Sequence, residues 1–326
     1  MSDDLPPIPT GSLPLSARSP GKCIVFGEHA VVHGAPELLF AIDLHTQVLV
    51  RAGVRSALNG DPDAATEHPY FRAAVESSWS PPGAFDVRAV SRIPRGAGLG
   101  SSAALSAGLV ATLSAVAGGV DRPELAQRSF DVERGAQGVG SPGDTSAAVA
   151  GGFLTVNGAS SGTRLWTVRD GDRAWEVRRV ADPGWVWVVA HSGIPRATGD
   201  AVRAVGTRLK QPDGPALLDR FRAVAIEGTR AVAAGDRAGA ASKMNENQEL
   251  LREVGVSHPR LEALLEAARP FAEGAKLTGA GAGGSIVVLP RAGMETELVR
   301  RLARAGGLPF VVTAAPAGVS LVDAPP

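Results

Sequence analysis

The chain reads as an α+β protein of two domains, and three observations point there. Its 326 residues exceed what one core usually organises. Over residues 85–116 an alternating strand, a glycine loop and an Ala/Leu-rich helix follow one another. Near Asp182-Pro183-Gly184 the pattern shifts from short strands to a block of helices closed by further strands. The expected division is a disordered tail over 1–13, an N-terminal domain over 14–190 and a C-terminal domain over 191–326.

Taken in order, Lys22 to Phe26 is a short apolar strand and Phe40 to Val50 a longer one, with the polar turn Gly27-Glu28-His29-Ala30-Val31-Val32-His33-Gly34 between them. Val54 to Pro69 carries Gly, Pro, Asp and Asn and reads as a surface loop. Pro69 to Trp79 is a short helix, Phe85 to Val90 a strand and Ser101 to Val116 a buried helix. Asp121-Arg122-Pro123 starts the next helix, with Asp as N-cap and Pro in the first turn. Strands follow at Phe153–Val156, Arg164–Val168, Ala174–Val180 and Trp185–Ala190. Helices are then expected near 198–209, 216–234, 236–254 and 259–268, the strand Ile286–Leu289 after a second glycine loop, a helix at 294–305, and two closing strands.

Composition narrows the function. Lys+Arg and Asp+Glu both total 33, so no electrostatic argument for nucleic acid or an anionic membrane arises. Cys23 is the single cysteine, which rules out an internal disulfide and suits a reducing compartment. Met1 to Pro14 lacks the basic-then-apolar run of a signal peptide. The expected location is the cytoplasm, with no membrane partner.

The chemistry centres on Pro94-Arg95-Gly96-Ala97-Gly98-Leu99-Gly100-Ser101-Ser102-Ala103. Glycines let backbone N–H groups converge without Cβ interference, and a helix N-terminus adds unpaired N–H groups and partial positive charge. Together they form a phosphate socket. A Walker loop would need Lys before the Ser, and a dinucleotide fold would need a strand where Ser101 to Gly119 runs; neither fits. Mg²⁺ takes hydroxyls, carboxylates, phosphate oxygens and water, so Ser102 plus one of the acids Glu133 and Asp144 can hold it, leaving the other acid as a base. Each acid also has an ordinary structural use, Glu133 as a solvated helix residue and Asp144 as a helix cap. His29 and His33 are four residues apart, but Ala30 stands where a zinc protease has Glu.

These residues resemble a known family. Ser19-Pro20-Gly21-Lys22 with Gly27 to Gly34 resembles the first motif of mevalonate kinases. Pro94 to Ala104 is similar to the ATP-binding motif of the wider galactokinase, homoserine kinase, mevalonate kinase and phosphomevalonate kinase superfamily, and Lys276 to Ser285 to its third motif. Ser141-Pro142-Gly143-Asp144 looks like the shorter archaeal and bacterial members. The resemblance implies an N-terminal domain like ribosomal protein S5 domain 2, a ferredoxin-like C-terminal domain, and ATP-dependent phosphorylation of the C5 hydroxyl of mevalonate. It implies Asp144 as catalytic base with Lys22 beside the hydroxyl, and Glu133 and Ser102 on Mg²⁺. Pro94, Gly96, Ala97, Gly98, Leu99, Gly100, Ser101, Ser102 and Ala103 would bind ATP. Glu28, His29, Thr198, Gly281 and Ala282 would shape the mevalonate pocket. A homodimer is compatible with it. The alternatives are a sister kinase for another small alcohol or phosphomevalonate, and a non-catalytic nucleotide-binding member.

Overall fold

A computed structural model describes residues 5–323 apart from 78–79, 139, 159–161 and 196–197, with the backbone alone at 198–200. The chain order is β1 (Leu15–Phe26), a 3₁₀ turn (Ala30–His33), β2 (Glu37–Gly53), β3 (Ala57–Leu58), α1 (Pro62–Glu67), α2 (Pro69–Glu76), β4 (Ala84–Ser91), α3 (Ser101–Val116), α4 (Arg122–Gln137) and α5 (Gly143–Ala150). Strands β5 (Phe153–Val156), β6 (Thr163–Asp170), β7 (Arg173–Val180) and β8 (Trp187–His191) follow. Then come α6 (Thr198–Arg208), α7 (Gly214–Ala233), α8 (Arg237–Glu253), α9 (Pro259–Ala268), a 3₁₀ turn (Arg269–Phe271), β9 (Ala272–Thr278), β10 (Ser285–Pro290), α10 (Glu295–Arg304), β11 (Leu308–Val312) and β12 (Ser320–Val322).

One sheet runs β12-β1-β2-β5-β7-β6, with β4 also paired to β2 and β3 to β4. Strand β2 is long enough to serve two neighbours on one side: residues 37–40 pair with β5 and residues 46–53 with β4. The second sheet runs β11-β8-β10-β9.

Side-chain alternation along β1 and β2 joins the two cores. Ile24, Leu39 and Ala41 face one core with the buried residues of α3, α4 and α5. Cys23, Val25, Leu38, Phe40 and Ile42 face the other, which holds α7, α8, α9 and the second sheet. Helix α3 is buried almost all round. Its small residues allow a close approach, and a Cβ on Gly108 would come 2.7 Å from Val48 Cγ2.

Three expectations are corrected. Residues 5–13 are not a loose tail: Ile8 is buried and bridges Val120, and Arg122 Nε donates to Pro6 O at 2.6 Å. Ile8, with Leu5 and Leu13 packed against the same core, finds a slot over the α3–α4 corner, which the proline-rich composition hides. Strand β8, placed before the boundary at 190/191, is an inner strand of the second sheet, and β12 returns to the first. The sheets therefore exchange chain across that boundary. The stretch 54–69 also holds β3 and α1 rather than loop alone, α1 being capped when Asp63 N donates to Asp61 Oδ1.

Candidate active site

Lys22 stands at the centre. It shares a face of β1 with Ile24, so strand periodicity points it away from the second core and toward α3 and α5. It is 1% exposed, and its ammonium must be paired. Nζ donates to Gly98 O at 3.0 Å and meets Asp144 Oδ1 at 3.0 Å, while its backbone N donates to Leu99 O at 2.9 Å. One lysine thus joins the glycine loop to the acid on α5. Its ammonium has three donors, and these two contacts leave a third for the cavity that it lines.

The loop approaches β1 closely because Gly21 and Gly100 lack Cβ atoms. A Cβ on Gly21 would sit 2.6 Å from Leu99 O, and one on Gly100 2.8 Å from Lys22 Cγ. Gly96, Gly98 and Gly100 all have positive φ, at 69°, 79° and 79°. Gly100 caps α3 without a side-chain hydrogen bond, and the first turn carries no acid. The amide groups there are suited to an anion. Ala97, Leu99 and Ala103 are buried, so they offer backbone rather than side chain.

In the first turn of α3, Ser102 Oγ donates to Glu133 Oε1 at 2.7 Å. Gln137, one turn along α4, donates to the same oxygen at 3.0 Å and to Tyr70 Oη at 2.5 Å. Burial pushes the Tyr70 phenol up, and the Glu133 charge acts in the same direction. A hydroxyl and a carboxylate at an open helix N-terminus suit Mg²⁺ arriving with phosphate. Among the described residues no group of three or more His, Cys, Asp or Glu side chains is placed to hold a metal by itself.

Beside this lies a cavity of about 340 Å³. Lys22, Glu28, His29, Glu37, Glu133, Asp144, Gly279 and Ala280 line it, with Ile24, Val31, Val32, Phe130 and Val202 as apolar wall. Glu28 forms an ion pair with Lys276, both buried. His29 has φ 63°, and its Nε2 meets Ala280 O at 3.1 Å. The turn and the second glycine loop are thereby fastened together.

Comparison with known proteins bears on what such a site does. The family model for the GHMP kinases N terminal domain matches residues 68–152, and that for GHMP kinases C terminal matches residues 229–307. The mevalonate kinase of Methanothermobacter thermautotrophicus is 32% identical over 83% of this chain and 89% of its own length. That of Archaeoglobus fulgidus is 32% identical over 83% and 90%. The chain belongs to the mevalonate kinase family. The L. major mevalonate kinase solved with R-mevalonate shares the fold, with a TM-score of 0.75 at 22% identity over 96% of this chain and 99% of that one. The two-domain kinase fold expected from the sequence is the fold found.

Within this mevalonate kinase family member, Lys22, Asp144, Glu28, His29 and Glu133 gather on one cavity. Asp144 does not cap α5: Pro142 holds the N-cap position, and the Asp144 carboxylate turns to Lys22. Gly281 and Ala282 are not among the residues on the cavity wall, where Gly279 and Ala280 stand instead. Ala282 N donates to Val256 O at 2.7 Å. The side chain of Thr198 lies outside the described residues. Sequence reasoning missed Glu37, Lys276, Tyr70 and Gln137. Lys276 carries a signal as the first residue of the third motif, whereas Glu37, Tyr70 and Gln137 carry none. No helix among the described residues is long and apolar enough to cross a membrane.

Proposed function

We propose that the chain transfers the γ-phosphoryl group of ATP to the C5 hydroxyl of mevalonate. The observation that carries this reading is Lys22, which touches both the glycine loop and Asp144. The loop and the α3 N-terminus cradle the nucleotide phosphates. Ser102 and Glu133 would hold Mg²⁺, which when bound neutralises phosphate charge. Asp144 takes the hydroxyl proton, Lys22 stabilises the developing alkoxide, and the oxygen attacks the γ-phosphorus as the bond to the ADP oxygen breaks. Alignment and charge neutralisation are what this chemistry demands.

Charge on the acceptor side favours mevalonate over phosphomevalonate. Among the described lining residues, Lys22 and Arg134 are matched by Asp144 and Asp170. Arg173 remains for one carboxylate, whereas phosphomevalonate would bring a phosphate as well. The expected outcome of an ADP-release assay on mevalonate, phosphomevalonate, homoserine and galactose is turnover with mevalonate. Preference for phosphomevalonate would replace the reading with a sister kinase. Glu133→Gln removes the charge assigned to Mg²⁺, so the metal concentration needed for half-maximal rate should rise at least about tenfold. An unchanged Mg²⁺ titration removes Glu133 from the site.

A further inference from the structure

Glu37 is a buried carboxyl that the reaction above does not use. It opens β2 and is 2% exposed. Its side chain reaches the start of α5, where Ser141 Oγ donates to Oε2 at 3.5 Å. Gly143, the residue before Asp144, lies against this carboxyl, and a Cβ there would push Glu37 Oε2 aside. The carboxyl is wedged against the backbone turn that aims Asp144, and it lines the same cavity.

The groups facing it do not supply a partner charge of its own. From β1 comes Lys22, already on Asp144; from α5, Asp144 itself; from the polar turn, Glu28, already on Lys276, and His29, on Ala280 O. β5 presents Val156 opposite. Further along the turn, burial and the charges of Arg173 and Lys210 push the His33 imidazole down, so it adds no cation at neutral pH. Burial pushes the Glu37 carboxyl up to about 8, the Asp144 charge adds to this, and Lys22 offsets only part of it. An ionised Glu37 would compete with Asp144 for one ammonium, in a cavity that must also admit a carboxylate beside a triphosphate.

We propose that Glu37 is a positioning residue of the acceptor side, a second carboxyl that must stay uncharged for Lys22 to remain with Asp144 and for the anionic substrates to enter. This rests on the reading of Asp144 and Lys22 given above. The sign follows: catalysis holds below the Glu37 pKa and is lost as pH rises through it.

The test compares kcat/KM for mevalonate from about pH 6 to about pH 9.5 in the wild type, Glu37→Gln and Asp144→Asn, since this parameter reports ionisations of the free enzyme. Gln keeps the shape of the neutral acid and cannot ionise. The wild type should lose about tenfold per pH unit above about pH 8. In Glu37→Gln the ratio of the rate at about pH 9 to that at about pH 7 should exceed the wild-type ratio by about tenfold. An alkaline limb shared by both overturns the proposal. Asp144→Asn separates the two claims: if it still turns over, the site reading falls and takes this one with it. If it is inactive while the limb is shared, Glu37 alone is misassigned. Should Glu37→Gln fail to fold, carbon NMR of glutamate-labelled wild type decides, with one carboxyl titrating near pH 8 expected. Completion of all glutamate titrations by about pH 6 overturns the proposal.

Discussion

The molecule holds two glycine loops, and they do opposite work with the same residue. In residues 94–103 the glycines lead into a helix N-terminus that no side chain caps. In residues 279–284 they are consumed by packing. There a Cβ on Gly281 would collide with Val256 O, and one on Gly283 would come 2.8 Å from Ile194 O. The amide of Ala282 is spent on Val256 O, and that of Gly284 on Ile194 O at 2.9 Å. One loop is a socket and the other a seam. Each is also tied to a buried lysine, Lys22 under the first and Lys276 leading into the second. Glycine density alone therefore does not mark a phosphate site; what the amides do afterwards decides.

The sharpest break in this comparison is expected at the first lysine's partner. Asp144→Asn should lower kcat by about 10²–10⁴-fold. Sequence alone expects this variant to melt like the wild type, because Asn caps helices well. The structure changes that expectation: Asn leaves Lys22 buried without its carboxylate, so about 1–3 kcal/mol of stability should go as well. Turnover within a few-fold of wild type would strip Asp144 of its role as base.

The second lysine should fail in the other direction. Lys276→Met strands Glu28 inside the protein and should cost about 3–5 kcal/mol in denaturant unfolding. Adding Glu28→Gln should restore part of that loss, because a neutral amide replaces the stranded charge. A Lys276→Met protein as stable as wild type would remove the structural role assigned to the pair.

A smaller and cleaner contrast comes from the loops themselves. Gly100→Ala and Gly281→Ala both place a side chain at positive φ, 79° and 74°, at about 1–3 kcal/mol of strain. Calorimetry should find ATP binding weakened in Gly100→Ala, whose methyl presses on Lys22. ATP affinity in Gly281→Ala should follow only the loss of folded protein. Equal loss of ATP affinity in both would erase the distinction between socket and seam.

Much of this was legible in sequence. The bounds of α3 follow from an Ala-rich run that starts directly after the last loop glycine, and β5 from a short apolar run between glycines. β9 was not legible, because Ala272-Glu273-Gly274-Ala275-Lys276 has no β-branched residue and Gly274 fits only by lying against Ala241. The first half of β1 was hidden by Ser16, Arg18, Ser19 and Pro20, whose pairing with β2 is decided by tertiary contact rather than propensity. For the site, the residues alone left the lysine and the two acids open, and the family resemblance implied a role for each of them and for Ser102. Glu37 escaped because its meaning depends on Gly143, more than a hundred residues away, and no local pattern records that approach.

The return of β12 to β1 has a consequence for how the chain is made. Arg122 donates to Pro6 O, Val149 O and Val319 O, so one guanidinium gathers three distant segments. On the ribosome, β1 therefore waits with an open edge until residues 320–322 emerge, and the slot over Val319 stays unfilled meanwhile. A nascent chain stalled after β7 would hold most of the ATP-binding half yet lack its outermost strand. The edge strand of the first sheet is thus made only after every strand of the second, so the N-terminal half completes its sheet no earlier than the C-terminal half completes its own.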